Sequence, residues 1–150
     1  MKKKIVFSLF CALMTVCASA TTVIPLSVED LTSVSSLVVE ARAISSSTKW
    51  NAAHTVIFTY TTFQAQRPLK GGAAAIVVRQ LGGTLDGITE KVPGVRHWKI
   101  GEQAVLFLRP GEVPDGSFEV TGLMQGNFFI YHGPTGESLV SNGSPDVSAY

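Results

Sequence analysis

Leu37 to Ile44 alternates: Leu37, Val39, Ala41 and Ala43 share one parity, with Glu40 and Arg42 on the other. A period of two predicts a half-buried strand. His54 to Gln66 is a longer run rich in Thr and aromatics. Val56, Phe58 and Tyr60 share a parity there, but Phe63 and Ala65 take the opposite one. That predicts a phase switch at Thr61-Thr62, the mark of a β-bulge. Ala74 to Gln80 and Gln103 to Arg109 are apolar on nearly both parities, which predicts central strands. Ser117 to Met124 and Phe128 to His132 complete six candidate strands. One short helix precedes them. Ser27 is a good N-cap, Glu29 and Asp30 suit a first turn, and Leu26, Leu31 and Val34 predict its inward stripe. The helix should stop near Ser35-Ser36 and cover the outer side of Ala104 to Leu108. The pattern predicts a mainly β fold: a small OB-like barrel or a strongly curved antiparallel sheet of five to six strands, with one short N-terminal helix.

Two segments break the pattern. Leu81 to Gly101 holds five Gly and one Pro with mixed charge and little alternation. Long loops on rigid scaffolds are often binding or lid elements, and the plainer reading is a solvent loop with a hairpin of its own. The chain after Gly133 is polar and reads as loosely held.

Composition matters once the first twenty of the 150 residues are set apart. Lys2, Lys3 and Lys4 precede an apolar run from Ile5 to Cys17, and Ala18-Ser19-Ala20 fits the small-residue rule for signal peptidase. Residues 1–20 therefore read as a secretory signal cut between Ala20 and Thr21. Residues 21–135 read as a single β-rich domain and 136–150 as a flexible C-terminal tail. The apolar run is short for a bilayer span, so no stable membrane anchor is expected. The expected location is across the inner membrane, periplasmic or extracellular. The mature chain keeps nine basic and eleven acidic groups and loses both cysteines, Cys11 and Cys17. Disulfides, thiol nucleophiles, cysteine zinc sites and iron–sulfur clusters are thereby excluded from it.

A family resemblance rests on several runs in fixed order. They are Leu37-Val38-Val39-Glu40-Ala41-Arg42-Ala43-Ile44, then Trp50, the long Thr-rich strand, and Leu69-Lys70-Gly71. Arg79-Gln80-Leu81-Gly82-Gly83 and Gly101-Glu102-Gln103-Ala104-Val105-Leu106-Phe107-Leu108 follow. From roughly Thr22 to Asn142 this order resembles a family of uncharacterised secreted bacterial proteins. Gln64 to Pro68 is longer than that family's usual approach to Leu-Lys-Gly. In pattern the chain is more distantly similar to netrin-like modules and the tissue inhibitors of metalloproteinases. That likeness implies a five-stranded OB-type barrel with helices packed on it. Those inhibitors chelate their target's metal through an N-terminal cysteine and carry disulfides. Thr21 and the cysteine-free domain depart from both.

Candidate chemistry is sparse. His54, His97 and His132 show no metal-ligand spacing, and no metal or cofactor is expected. Asp86-Gly87 and Asp115-Gly116 read as turns rather than calcium loops. No Gly-x-Ser-x-Gly elbow is present, and Gly71-Gly72 and Gly82-Gly83 lack a phosphate-loop pattern. Arg96-His97-Trp98-Lys99 is the one compact basic run of the mature chain, too little for a nucleic-acid backbone, so no nucleic acid is expected. Trp50 and Trp98 each stand beside a Lys in a predicted loop. They read either as flat recognition anchors or as plugs of the barrel core. The candidate binding set is Trp50, Arg79, Arg96, His97 and Trp98, with no catalytic residue assigned. The leading expectation is a non-catalytic secreted binding module for a protein or extracellular polymer. A secreted hydrolase with a loop-built site, and an accessory or inhibitory domain acting on a secreted protease, are the alternatives.

Overall fold

A computed structural model describes residues 24–72 and 75–142. The leader, its cleavage at Ala20–Thr21 and both cysteines lie outside these residues.

Helix α1 is Val28–Val34. Ser27 Oγ accepts the Asp30 amide at 3.0 Å, and Asp30 accepts the Ser27 amide in return, a reciprocal cap. The helix ends at Ser35, as its sequence suggests. Lys70 Nζ donates to the Thr32 carbonyl at 2.6 Å, placing a cation on the last turn. This gives the Lys of Leu69-Lys70-Gly71 a structural task. Leu31 is the buried anchor and Leu26 packs beside it, but Val34 is 60% exposed and faces away. The inward stripe is thus Leu26 and Leu31 without Val34, because a helix this short contacts the sheet over one turn.

Among the described residues nine strands follow: β1 Leu37–Trp50, β2 Ile57–Lys70, β3 Ala75–Leu81, β4 Gly83–Leu85, β5 Ile88–Glu90, β6 Gln103–Pro110, β7 Phe118–Val120, β8 Asn127–His132 and β9 Ser138–Ser141. Neighbours run β1-β2-β3-β7-β6, and β6 pairs back on β1, so five strands close a small OB-like barrel. The β3–β7 contact is parallel and rests on one bridge, Val78 to Phe118. β8 and β9 continue antiparallel from β6. β9 lies in the segment that reads as a loose tail. β4 and β5 form a separate hairpin inside Leu81 to Gly101, the plainer of the two readings of that segment.

The barrel interior holds Leu37, Val39, Ala41 and Ala43 of β1 with Phe63, Ile76, Val78, Leu106 and Leu108. A second cluster outside the sheet joins Leu31, Val38 and Phe107, with Leu26, Val105 and Phe128 against it. This is the helix-on-sheet cover that the two-sided apolar run of β6 requires.

The expected phase switch at Thr61-Thr62 is absent. Ile57, Thr59, Thr61 and Phe63 are all buried on one parity, and Phe58 and Tyr60 lie half-buried on the outer face. The irregularity sits across the ladder on β1, where Ala43 faces Phe63 and Ser45 faces Thr62, leaving Ile44 as the extra residue. Two further shifts fall at Gln66 and Leu69 of β2. Two aromatics on the outer face and two threonines inside invert what hydrophobicity alone suggests.

Candidate functional site

The outer face of β2, β3, β7 and β6 carries a row of joined charges. Arg79 of β3 has a side chain only 6% exposed, pairs closely with Glu119 of β7, and lies over the Phe58 ring at 4.9 Å. Glu119 also accepts from Arg109 of β6 at 3.1 Å, and Arg109 reaches Glu112 at 3.6 Å. Ladder register sets this up, since Arg109 stands directly opposite Glu119. Burial pulls the Arg79 guanidinium down, but the hydrogen bond and charge of Glu119 outweigh it and leave the group raised.

Tyr60 stands opposite Arg79 on the same face and donates its hydroxyl to Asp115 at 3.2 Å. Burial, then that bond to a carboxylate, raises the Tyr60 phenol. Asp115 accepts from the Ser117 hydroxyl at 2.5 Å and the Ser117 amide at 2.9 Å, which lowers its carboxyl. The Asp115-Gly116 turn of the sequence is therefore a tied corner between β6 and β7.

Beside this row runs a groove of about 1030 Å³. Leu81, Val95, the Gly122–Gln125 turn, Ile24 and Val34 are among the residues that line it. Leu123 is held at φ +62°, a left-handed backbone rare for a branched side chain, and its side chain is 62% exposed. Gln80 lines the same groove and is 7% exposed. Its Nε2 faces the Arg96 carbonyl at 3.4 Å and Met124 sulfur at 3.9 Å, while its Oε1 is buried with no partner among the described residues. A smaller pocket of about 460 Å³ lies between the β4–β5 hairpin and His97.

The sequence-predicted residues separate. Arg79 is at the groove. Arg96 bonds Glu102 at 2.7 Å and covers the Phe129 ring at 3.8 Å, on the β8 side. His97 Nε2 lies 3.0 Å from the Leu81 carbonyl and faces the smaller pocket. Trp98 is 4% exposed, meets Phe63 edge-on at 4.9 Å and donates to Asn127 Oδ1 at 3.1 Å. Of its two sequence readings, plug and exposed anchor, its burial is that of the plug. Trp50, half-buried, donates to Asp86 at 3.3 Å and stacks on His54. Three consecutive side chains thus leave the backbone in three directions, and the compact cluster of the sequence is not one in space.

Phe58, Glu119, Arg109, Gln80 and Leu123 were not singled out by sequence. Glu119 between Phe118 and Val120, and Arg79 in an apolar strand, were the available signals, because charges inside such runs need partners. The groove itself needed the tertiary meeting of β3 with the 122–125 turn.

Among the described residues no three His, Cys, Asp or Glu side chains gather as a metal site, and no helix is long and apolar enough to cross a membrane. The chain matches no known protein family, no curated protein and no solved structure.

Proposed function

We propose that the chain is a secreted interaction module that binds a protein or extracellular polymer in the groove between β3 and the 122–125 turn. One observation carries the reading. Ile24, Val34, Leu81 and Leu123, exposed by 77%, 60%, 37% and 62%, all border this groove. Contiguous exposed apolar surface in a folded domain marks interaction sites. The strained Leu123 backbone supports it, since such strain concentrates at functional positions. Secretion rests on the Lys2–Lys4 start, the apolar run and Ala18-Ser19-Ala20.

The test uses the full mature chain, immobilised and exposed to the extracytoplasmic fraction of its source. Capture should be lost in Leu81→Asp and Leu123→Asp and kept in Leu139→Asp, an exposed apolar change on β9. Capture indifferent to both groove variants, or turnover of generic ester, glycoside or peptide substrates by the purified chain, would overturn the reading.

A further inference from the structure

The five barrel strands close on one another, but β9 has β8 as its one hydrogen-bonded neighbour among the described residues. From this open end of the sheet we infer that β9 pairs with β9 of a second copy of the chain, antiparallel about a two-fold axis at Leu139. Ser138, Leu139 and Val140 are exposed in succession, on both faces of the strand. Open edges are usually blunted by charge, proline or a bulge. Ser138–Ser141 has no charged residue, no proline and an unbroken register with β8, so shortness is its one protection.

Strand parity fixes which main-chain groups of β9 face outward. The Glu137 carbonyl accepts the Gly133 amide at 2.8 Å, so it points back across the hairpin. Alternation then turns the amide and carbonyl of Leu139 toward Tyr131 of β8 and those of Ser138 and Val140 away from it. The side chains agree. Ser138 Oγ lies 3.3 Å from His132 Nδ1, the close approach of an antiparallel pair that exchanges no main-chain bonds.

An edge with outward groups at positions 138 and 140 is complementary to itself. With Leu139 on the two-fold axis, Ser138 of each copy faces Val140 of the other, and each pair exchanges two main-chain hydrogen bonds. Leu139 meets its own counterpart between them, in the position where side chains approach most closely. The two Glu137 carboxylates fall at opposite ends of the ladder. Side chains favour a copy of this strand over a polar one. Leu139 is 56% exposed and stands opposite Tyr131, 48% exposed, on one face of the hairpin. Across the paired sheets the order becomes Tyr131, Leu139, Leu139, Tyr131, one apolar row built from side chains that a single copy leaves in water. The contact is isologous, so it closes at two copies. None of these residues lines the groove, and the two surfaces are separate.

The experiment is analytical ultracentrifugation of the full mature chain. It should show a monomer–dimer equilibrium between about 10 μM and about 1 mM, because so short an edge makes a contact at the small, weak end of interfaces. Val140→Pro removes an outward amide, and Leu139→Asp sets two carboxylates against each other on the axis; each should raise the dimer dissociation constant by about tenfold or more. Leu81→Asp, in the groove, should leave the equilibrium unchanged. Thermal melts establish that the variants remain folded. Register is read by single cysteines, since the mature sequence has none of its own. Under mild oxidation Leu139→Cys should form a disulfide-linked dimer faster than Val140→Cys, whose counterpart is only a diagonal neighbour. A chain that stays monomeric throughout, or a dimer that both Val140→Pro and Leu139→Asp leave intact, overturns the inference. So do equal crosslinking by the two cysteines and growth beyond a dimer. A monomeric chain whose capture of an extracytoplasmic protein is lost in Val140→Pro would give the edge to that protein and remove the second copy as its occupant.

Discussion

Trp98 shows how a side chain's task depends on its depth. Its ring meets Phe63 edge-on inside the barrel, and its N–H is used by Asn127. Trp98→Ala should therefore cost about 3–5 kcal/mol in urea melts, as large core truncations do. Native fluorescence should contain a blue, iodide-resistant component that this variant lacks, with Trp50 the accessible emitter. Arg79 and Glu119 argue differently. Removing one partner strands a charge, so Glu119→Ala should destabilise by about 3–5 kcal/mol, whereas the double change Arg79→Met/Glu119→Leu should lie much nearer wild type. Equal losses in the single and double variants would show that the pair is not coupled. Asp115 sets an acid limit. Its carboxyl is lower in the folded chain than in the unfolded one, chiefly through Ser117. The stability it adds is complete above its ordinary value of 3.8 and disappears as pH falls through the lowered folded value. Asp115→Asn should thus be less stable than wild type at neutral pH, with the difference closing as the pH falls from 3.8 through the lowered folded value.

At the scale of elements, alternation was legible wherever a strand has one wet face. Leu37, Val39, Ala41 and Ala43 point inward with Glu40 and Arg42 outward, as their spacing requires. Helix α1 was legible through its cap, and β6 through its two-sided apolar run. β2 was misread because Thr59 and Thr61 are buried: the Thr59 hydroxyl finds the Gly82 carbonyl at 2.7 Å, a partner no local pattern announces. The bulge was expected on the wrong strand for a related reason, since a ladder shift is shared by two strands and either can hold the extra residue. Phe107 lies between sheet and helix with Leu31 and Val38, so Phe107→Ala should lose about 3–5 kcal/mol. Glu40→Ala, whose pair with Arg67 is exposed, should change stability by less than about 1 kcal/mol. Gly83 marks where the β4–β5 hairpin meets the barrel. Its φ is +141°, and an added Cβ would sit 2.5 Å from Thr59 Oγ1 and 2.9 Å from Thr48 Cγ2. That contact explains the second Gly of Gly82-Gly83 without any phosphate chemistry.

For the whole molecule, barrel closure was legible as a class but its seam was not. Composition and period indicate many short strands; they do not say that β3 and β7 meet in parallel through one bridge. Leu123 tests whether the groove is built for binding. Leu123→Gly relieves a left-handed backbone and should raise stability by about 0.5–1 kcal/mol in melts while weakening partner capture. A gain in both properties would remove the functional reading of the strain. The Gly122–Gln125 wall also has a mechanical tie. Gln125 Oε1 accepts the Leu26 amide at 2.7 Å, and its Nε2 donates to the Ile24 carbonyl at 3.1 Å. One side chain thus acts as a one-residue strand, holding the incoming chain to a turn far along the sequence. The two must open as a single cooperative unit, so the Leu26 amide should exchange with deuterium at the rate of the Gly126 amide, which bonds the Thr121 carbonyl across the same turn. Gln125→Ala should release the Leu26 amide to rapid exchange. The frame that shapes the groove would then be set by how firmly a distant glutamine grips the start of the fold.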